Sequence, residues 1–208
     1  TVGATVRGNT VYDNDIGIAG RGAVEHNRVF ASRTAGIDLY GWLGLVTANS
    51  VYSNPVGIQA RAGNSVATAF IANNLVYSSE NQGIVVTDGS DHRIVNNTVY
   101  QHVGDAIAID GGAADATVFN NVLWVGSGTG IAVAPDSDAG LATGYNLVYL
   151  DTVGASAGVQ GPHDTSGDPG FLDIDGADNT LGAVKAGDAF VEDRGWDDNF
   201  STGPGSPV

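Results

Sequence analysis

Residues 71–86, which read IANNLVYSSENQGIVV, decide the fold of this 208-residue chain. The stretch places an aromatic ring three positions after Asn74, at Tyr77, and a Gly-Ile pair nine positions after it, at Gly83 and Ile84. Its apolar segments are short, rich in β-branched residues and separated by turn residues, so none is long enough for a helix. We therefore expect three short strands within this stretch and its flanks.

The same pattern returns along most of the chain, with steps of 18, 22, 25, 23, 24 and 25 residues between successive Asn. A period of this size indicates a repeat architecture, and three short strands per period are typical of one coil of a parallel β-helix. The leucine spacing of a leucine-rich repeat and the longer period of a β-propeller are both missing. We predict that the repeated Asn side chains stack inside one bend and bond to neighbouring coils. These are Asn9, Asn27, Asn49, Asn74, Asn97, Asn121 and Asn146.

The motif N-x-V-[YFW]-x(4,5)-[GA]-I resembles the repeats of right-handed parallel β-helix proteins of the pectin-lyase-like superfamily, and it extends from about Val6 to Val159. The repeat predicts an all-β protein, a parallel β-helix of about seven coils over residues 1–160, and the resemblance implies that it is right-handed. The acidic, Gly-, Asp- and Pro-rich composition of residues 161–208 predicts a loop-rich C-terminal cap or tail. The superfamily includes pectate lyases, polygalacturonases, mannuronan epimerases and phage tailspikes, so the resemblance implies a fold without fixing a function.

The chain is strongly acidic, with a formal net charge of −15 and no cysteine. This charge argues against nucleic acid and anionic membrane as partners. No apolar run approaches the roughly 20 residues of a membrane span. The G-D-P-x-F and D-D-N-F stretches of the tail resemble closing segments of secreted bacterial β-helix proteins, which implies an extracellular or cell-surface location.

Alternation along the Gly-Ile strands predicts two outward columns of side chains. One column is Ala19, Asp38, Gln59, Val85, Ala108 and Ala132, and the other is Arg21, Tyr40, Arg61, Thr87, Asp110 and Ala134. Their polar and aromatic members form a candidate strip for binding polysaccharide, because Arg pairs with carboxylates and Tyr stacks on sugar rings. The candidate binding residues are Arg21, Asp38, Tyr40, Gln59, Arg61 and Asp110. The alternative is an ordinary solvated sheet face.

Candidate acid and base residues fall in the loops of neighbouring coils, because glycosidase chemistry needs carboxylates at close quarters. They are Asp88, Asp91, Asp105, Asp110, His92 and His102. Turn chemistry is the alternative explanation for these Asp residues. Residues 161–164, Gly-Pro-His-Asp, also resemble the D-P-H-D-type catalytic segment of mannuronan epimerases, with Gly161 in place of the leading Asp.

The tail carries a candidate calcium site at Asp173, Asp175 and Asp178, spaced around Gly176. Alternate oxygens at short spacing converge on a hard cation in calcium loops. An ordinary Asp-Gly turn is the alternative, since no Glu stands at position 12 of such a loop.

The sequence leaves two classes of function open. The first is a non-catalytic structural or adhesive module that contacts polysaccharide and associates end to end with further copies through its exposed first coil. The second is an enzyme on an acidic glycan, such as a lyase, an epimerase or a hydrolase.

Overall fold

A computed structural model of the chain describes residues 4–63 and 67–207, without the side chains of residues 42 and 43. In these ranges the chain is all strands and turns, wound into a parallel β-helix with three faces. We name the faces after their position in the repeat: the pre-Asn face, the post-Asn face and the Gly-Ile face. The prediction of a parallel β-helix with about seven coils is confirmed.

The post-Asn face is a sheet of seven parallel strands, one per coil. Its strands are β2 (Thr10–Tyr12), β4 (Arg28–Phe30), β6 (Ser50–Tyr52), β9 (Leu75–Tyr77), β12 (Thr98–Val103), β15 (Val122–Ser127) and β18 (Leu147–Leu150).

The other two faces are joined, because two long strands pass through the corner between them. These are β3 (Ile16–Glu25) and β5 (Ala35–Thr47), whose first halves belong to the Gly-Ile face and whose second halves belong to the pre-Asn face. The pre-Asn face also contains β1 (Ala4–Arg7), β8 (Ala69–Ala72), β11 (Arg93–Val95), β14 (Thr117–Phe119) and β17 (Ala142–Gly144). The Gly-Ile face also contains β7 (Val56–Arg61), β10 (Gln82–Thr87), β13 (Asp105–Asp110), β16 (Thr129–Val133) and β19 (Ser156–Gly158).

The core lies inside the coils, where equivalent apolar residues stack in register. On the Gly-Ile face Ile58, Ile84, Ile107 and Ile131 pair in sequence and are fully buried. The β-branched residue before each Asn and the Val or Leu after it fill the other two sides, so each coil contributes about three apolar side chains to one continuous core.

The Gly of the Gly-Ile pair is required by the close approach of two faces. A Cβ atom on Gly83 would lie 2.6 Å from the Ala106 carbonyl oxygen and 2.6 Å from Cγ1 of Val99. Gly17, Gly36, Gly57 and Gly130 show equivalent contacts with the Val of the next post-Asn strand. The two recurring parts of the motif, the Gly-Ile pair and the Val after the Asn, therefore pack against each other inside the coil.

The tail runs back along the outside of the coils. It contains two antiparallel pairs, β20 (Phe171–Asp173) with β23 (Asn199–Thr202) and β21 (Ala183–Ala186) with β22 (Ala189–Asp193). These pairs lie over the aromatic rings of the post-Asn face: Phe171 packs on Trp124, Phe200 on Tyr77 and Phe190 on Tyr12, at ring-centroid distances of 5.9, 4.9 and 5.1 Å.

The aromatic column beneath the tail is a structural stack. Tyr12, Phe30, Tyr52 and Tyr77 stack face to face with centroids 4.8–5.2 Å apart. Phe30, Tyr52 and Tyr77 are at most 1% exposed, so their ring faces are not accessible to a sugar. Tyr52 also donates a 2.8 Å hydrogen bond to Asp193 of the tail.

Candidate functional site

The seven Asn form a hydrogen-bonded column in the bend between the pre-Asn and post-Asn faces. Asn74 donates its backbone N–H and its side-chain amide to Oδ1 of Asn97, both at 3.0 Å, and the amide also donates to the carbonyl of Val46. All members after Asn9 are at most 2% exposed. The residue before each Asn, and not the Asn itself, has a left-handed backbone, for example Ala48 with φ 54° and Asn73 with φ 55°.

The segment 161–164 ends this column. Asp164 Oδ1 accepts from the backbone N–H and side-chain amide of Asn146, at 2.7 and 3.1 Å, as an eighth Asn would. The other oxygen of Asp164 accepts from the N–H of Gly161, and His163 has the left-handed backbone of the column with φ 64°. A carboxylate accepts hydrogen bonds and donates none, which suits the last position of a one-directional column. The resemblance of this segment to an epimerase site has this structural explanation.

The candidate binding strip lies on the outside of the Gly-Ile face. Tyr40, Arg61, Thr87 and Asp110 occupy successive coils in register. Arg21 lies beside them in the first coil, with its guanidinium carbon 5.7 Å from the centroid of the Tyr40 ring. Tyr40 is 46% exposed, so one aromatic side chain and one cation are open to solvent at this edge.

Two of the predicted binding residues are bound to each other. Arg61 donates from Nε to Oδ1 of Asp38 at 3.1 Å and from a terminal nitrogen to Oδ2, a bidentate pair. The hydrogen bonds that Arg61 donates to the Asp38 carboxylate raise the pKa of Arg61. Asp38 is only 2% exposed, and Arg61 is half exposed at the surface. Arg61 therefore neutralises a buried carboxylate and is not a free clamp for a carboxylated ligand.

The first outward column differs from the sequence prediction in its exposure. The register is as expected, but Asp38, Val85 and Ala108 are at most 5% exposed, and Gln59 and Ala132 are half-buried. Parallel strands in register place a neighbour on each side of every side chain, and small side chains in the centre of such a sheet cover one another. The expectation that Asp38 faces solvent is wrong for this reason.

The candidate acid and base residues fall into two separate groups. Asp105 and Asp110 are the two ends of β13, which a strand rise of about 3.3 Å per residue places roughly 16 Å apart. Asp110 accepts a 2.9 Å hydrogen bond from the Thr87 hydroxyl, and Asp105 accepts one from the N–H of Thr129. His102 lies on β12, towards the Asp105 end. The six residues therefore do not form one catalytic cluster.

His92 is a buried structural residue. Its Nδ1 accepts from the N–H of Ala69 at 3.1 Å, so Nε2 is the nitrogen that donates to the carbonyl of Asp88 at 2.7 Å. Burial lowers the pKa of His92, which favours this neutral form. Asp88 and Asp91 have left-handed backbones, with φ 61° and 56°, which is the turn chemistry that competes with a catalytic interpretation.

A comparison with known protein families agrees with this architecture. The profile described as "Right handed beta helix region" matches residues 1–141, about two thirds of the chain. The chain belongs to the right-handed β-helix family. No curated protein and no solved structure matches it. Membership in the family confirms the predicted resemblance and the hand of the helix.

In this right-handed β-helix the candidate calcium residues lie in the tail. Asp178 accepts a 2.9 Å hydrogen bond from the N–H of Thr180 and pairs with Arg194 at 3.2 Å. Asp173 ends β20, opposite Asn199. Within residues 4–63 and 67–207, no three His, Asp or Glu side chains come together as a metal-binding group. Calcium binding by these residues stays a prediction.

The described residues, 4–63 and 67–207, contain no helix that is long and apolar enough to cross a membrane.

The right-handed β-helix also contains a second internal polar column that the sequence analysis missed. It lies at the turn after the post-Asn face. Asn54 accepts from the N–H of Ser32 at 2.9 Å and donates to the carbonyls of Val29 and Tyr52, and Gln101 donates to the carbonyl of Ser79 at 2.8 Å. The residue types differ from coil to coil, so only the position, four or five residues after the repeated Asn, marks this column.

Proposed function

We propose that this right-handed β-helix is a non-catalytic structural or adhesive module of an extracellular or cell-surface protein, and that it contacts acidic polysaccharide at the Arg21–Tyr40 edge. The main support for this proposal is the exposure of Arg21 and the contact that it makes. It is exposed, it lies over the face of Tyr40, and it has no ion pair with any described residue. A cation over an exposed ring matches a carboxylated sugar, which offers both an apolar ring face and a negative charge.

The charge distribution supports this location. The chain has eight Lys and Arg residues against 23 acids, and six of the eight are engaged in ion pairs. Arg21 and Arg93 are the two that form none among the described residues. An exposed cation without an internal carboxylate is available for an external one, and Arg21 is the one with an aromatic ring beside it.

Calorimetric titration with uronate oligosaccharides tests the proposal. Arg21→Ala and Tyr40→Ala should each weaken binding by roughly tenfold, the equivalent of one charge-assisted or stacking contact. Arg33→Ala is the matched control, because Arg33 is an exposed Arg that pairs with Asp13 at 2.8 Å away from this edge. Arg61→Ala is unsuitable, since it leaves the buried Asp38 without its partner. A wild-type protein that binds no uronate oligosaccharide contradicts the proposal.

The oligosaccharide used in this titration also tests the enzymatic alternative. Mass spectrometry after prolonged incubation with the protein shows whether the oligosaccharide is cleaved. New unsaturated ends would identify a lyase, and a gain of water would identify a hydrolase. Either product would overturn the non-catalytic proposal, whereas intact oligosaccharide with Arg21-dependent binding is the expected result.

End-to-end association stays a prediction, and the Asn column bears on how it would occur. Oδ1 of Asn9 accepts no hydrogen bond from a described residue, and the other end of the column is the acceptor Asp164. Stacking one copy on the next through these ends would bring the acceptor Asp164 against the acceptor oxygen of Asn9, so the hydrogen-bonded column would not continue from one copy to the next. Association would therefore depend on the strand edges, and light scattering over a range of concentrations tests it.

A further inference from the structure

The corner before the Asn column carries an exposed aromatic pair at its C-terminal end. Tyr145 and His163 occupy the left-handed position of successive coils and stack with ring centroids 4.7 Å apart. Phe119 lies beside them, 6.2 Å from Tyr145, with its ring against Gly144. Tyr145 is 57% exposed, so more than half of this side chain is open to solvent, at a corner of the rod away from the Arg21–Tyr40 edge.

The backbone at Tyr145 is unfavourable for a bulky residue. Its φ is 58°, a region that Gly and Asn adopt readily and that is strained for a residue with a larger side chain. The preceding coils place Asn73, Asn96 and Asn120 at the same position, with φ 55–56°. An exposed Tyr in this conformation gains little burial to offset the strain, and a strained, exposed aromatic residue is more typical of a binding surface than of a core.

The three Asn continue the platform along the rod. They are exposed, and their side-chain amides bond to no other described residue. They follow one another at the coil spacing of about 4.8 Å, which is close to the length that one hexopyranose adds to an extended glycan. Amides that donate and accept suit hydroxyl groups, and an aromatic ring suits the apolar face of a sugar.

We propose that Tyr145, His163 and Phe119, with the amides of Asn120 and Asn96, form a binding site for an uncharged glycan chain that runs along the rod. The set contains no Lys, Arg, Asp or Glu, and the formal net charge of the chain is −15. The absence of a cation from this set of residues disfavours a uronate here, in contrast to the Arg21–Tyr40 edge.

Titration with neutral β-1,4-linked hexaoses of glucose and of xylose tests the site, with calorimetry and the Asn120 side-chain amide resonances as readouts. Tyr145→Asn is the informative variant, because Asn is the residue that three neighbouring coils carry there. We expect it to weaken hexaose binding by roughly tenfold or more, the loss of one stacking contact, with an unchanged or raised melting temperature. His163→Asn should weaken binding in the same direction.

Trp196→Ala is the control, since Trp196 is an aromatic side chain of the tail that is 68% exposed, and its removal should leave hexaose binding unchanged. A wild-type protein that binds neither hexaose at millimolar concentration overturns the proposal, and so does a Tyr145→Asn variant that binds as tightly as wild type. Uronate binding at the Arg21–Tyr40 edge is independent of both outcomes, so the two proposals fail separately.

Discussion

At the scale of single residues, the Asn column holds the coils together because each side chain satisfies several buried groups at once. Asn74 accepts from the N–H and the amide of Asn49 at 3.0 Å and donates to Asn97 and Val46. A buried polar group that loses its partner costs more than the net value of the hydrogen bond. Removing one Asn therefore affects three coils.

Asn74→Ala should lower the free energy of unfolding by about 1–3 kcal/mol, because it leaves the groups of Asn49, Asn97 and Val46 without their partner. Urea denaturation measures the change. The matched control is Asn73→Ala, the same substitution one residue earlier, where the side chain is exposed and where Ala48 shows that Ala accepts the backbone. Equal losses for the two variants would show that the column does not carry this energy.

The residue scale also shows what sequence alone can and cannot give. The repeated Asn predicted the column, because one residue type recurs at one position. The left-handed residue beside it escaped prediction, because Gly8, His26, Ala48, Asn73 and Tyr145 share no side-chain chemistry. The same diversity conceals the aromatic platform at Tyr145, which is visible only once the coils are stacked.

At the scale of the strand, the Gly-Ile pair and the Val of the post-Asn strand are one packing unit. The Gly side of the unit has no room for a methyl group at Gly83, where a Cβ would approach both Val99 and the Ala106 backbone at 2.6 Å. Ala106 occupies the same position one coil later and is fully buried, so that coil holds a methyl group where Gly83 has none.

Gly83→Ala should destabilise the protein by about 1–3 kcal/mol through overpacking, measured as a shift of the urea midpoint. Gly154→Ala is the control, because a Cβ at Gly154 meets no atom within 4 Å. If the two substitutions have the same small effect, the close approach at Gly83 does not limit the packing of the coil.

The strand scale explains which part of the candidate strip was predictable. Alternation along a strand fixes the direction of each side chain, so the pairing of Asp38 with Gln59 and of Tyr40 with Arg61 follows from the repeat. Exposure does not follow, because it depends on neighbours in adjacent coils. Asp38 is buried and Tyr40 is exposed although they point to the same face, and the Asp38–Arg61 pair crosses between two coils.

At the scale of the whole molecule, the tail packs across the outside of the post-Asn face. Phe171, Phe190 and Phe200 anchor it, and in the sequence they are apolar residues scattered through an acidic segment. Without a period, such anchors do not indicate which face they cover. The structure places all three on the aromatic column, and Arg28 and Tyr52 of the coils both bind Asp193 of the tail at 2.8 Å.

The docked tail contains a carboxyl group whose pKa is raised. Asp198 accepts a hydrogen bond from the N–H of Gly182 with one oxygen, and its Oδ1 is buried. Burial raises the pKa of Asp198 from its ordinary 3.8 to about 6. Hydrogen bonding by Tyr77 and by the Gly182 N–H opposes this rise, and the charges of Asp197 and Asp178 add to it. Because the folded state binds this proton more tightly than the unfolded state, the contribution of Asp198 to stability is greatest near pH 4 and is lost as the pH rises through about 6.

Asp198→Asn should therefore stabilise the protein at pH 7.5, by about 1–2 kcal/mol after allowance for the partial exposure of the group, and should leave stability near pH 4 almost unchanged. The comparison is made between variant and wild type at each pH, because His92, whose pKa burial lowers, makes the fold less stable as the pH falls below 6.5 in both proteins. Urea denaturation at pH 4.5, 6 and 7.5 measures the difference. A gain in the free energy of unfolding that is the same at all three pH values, or a loss at pH 7.5, would contradict this prediction. Either result would mean that the docked tail accommodates the ionised Asp198, so that its docking is equally stable on either side of pH 6.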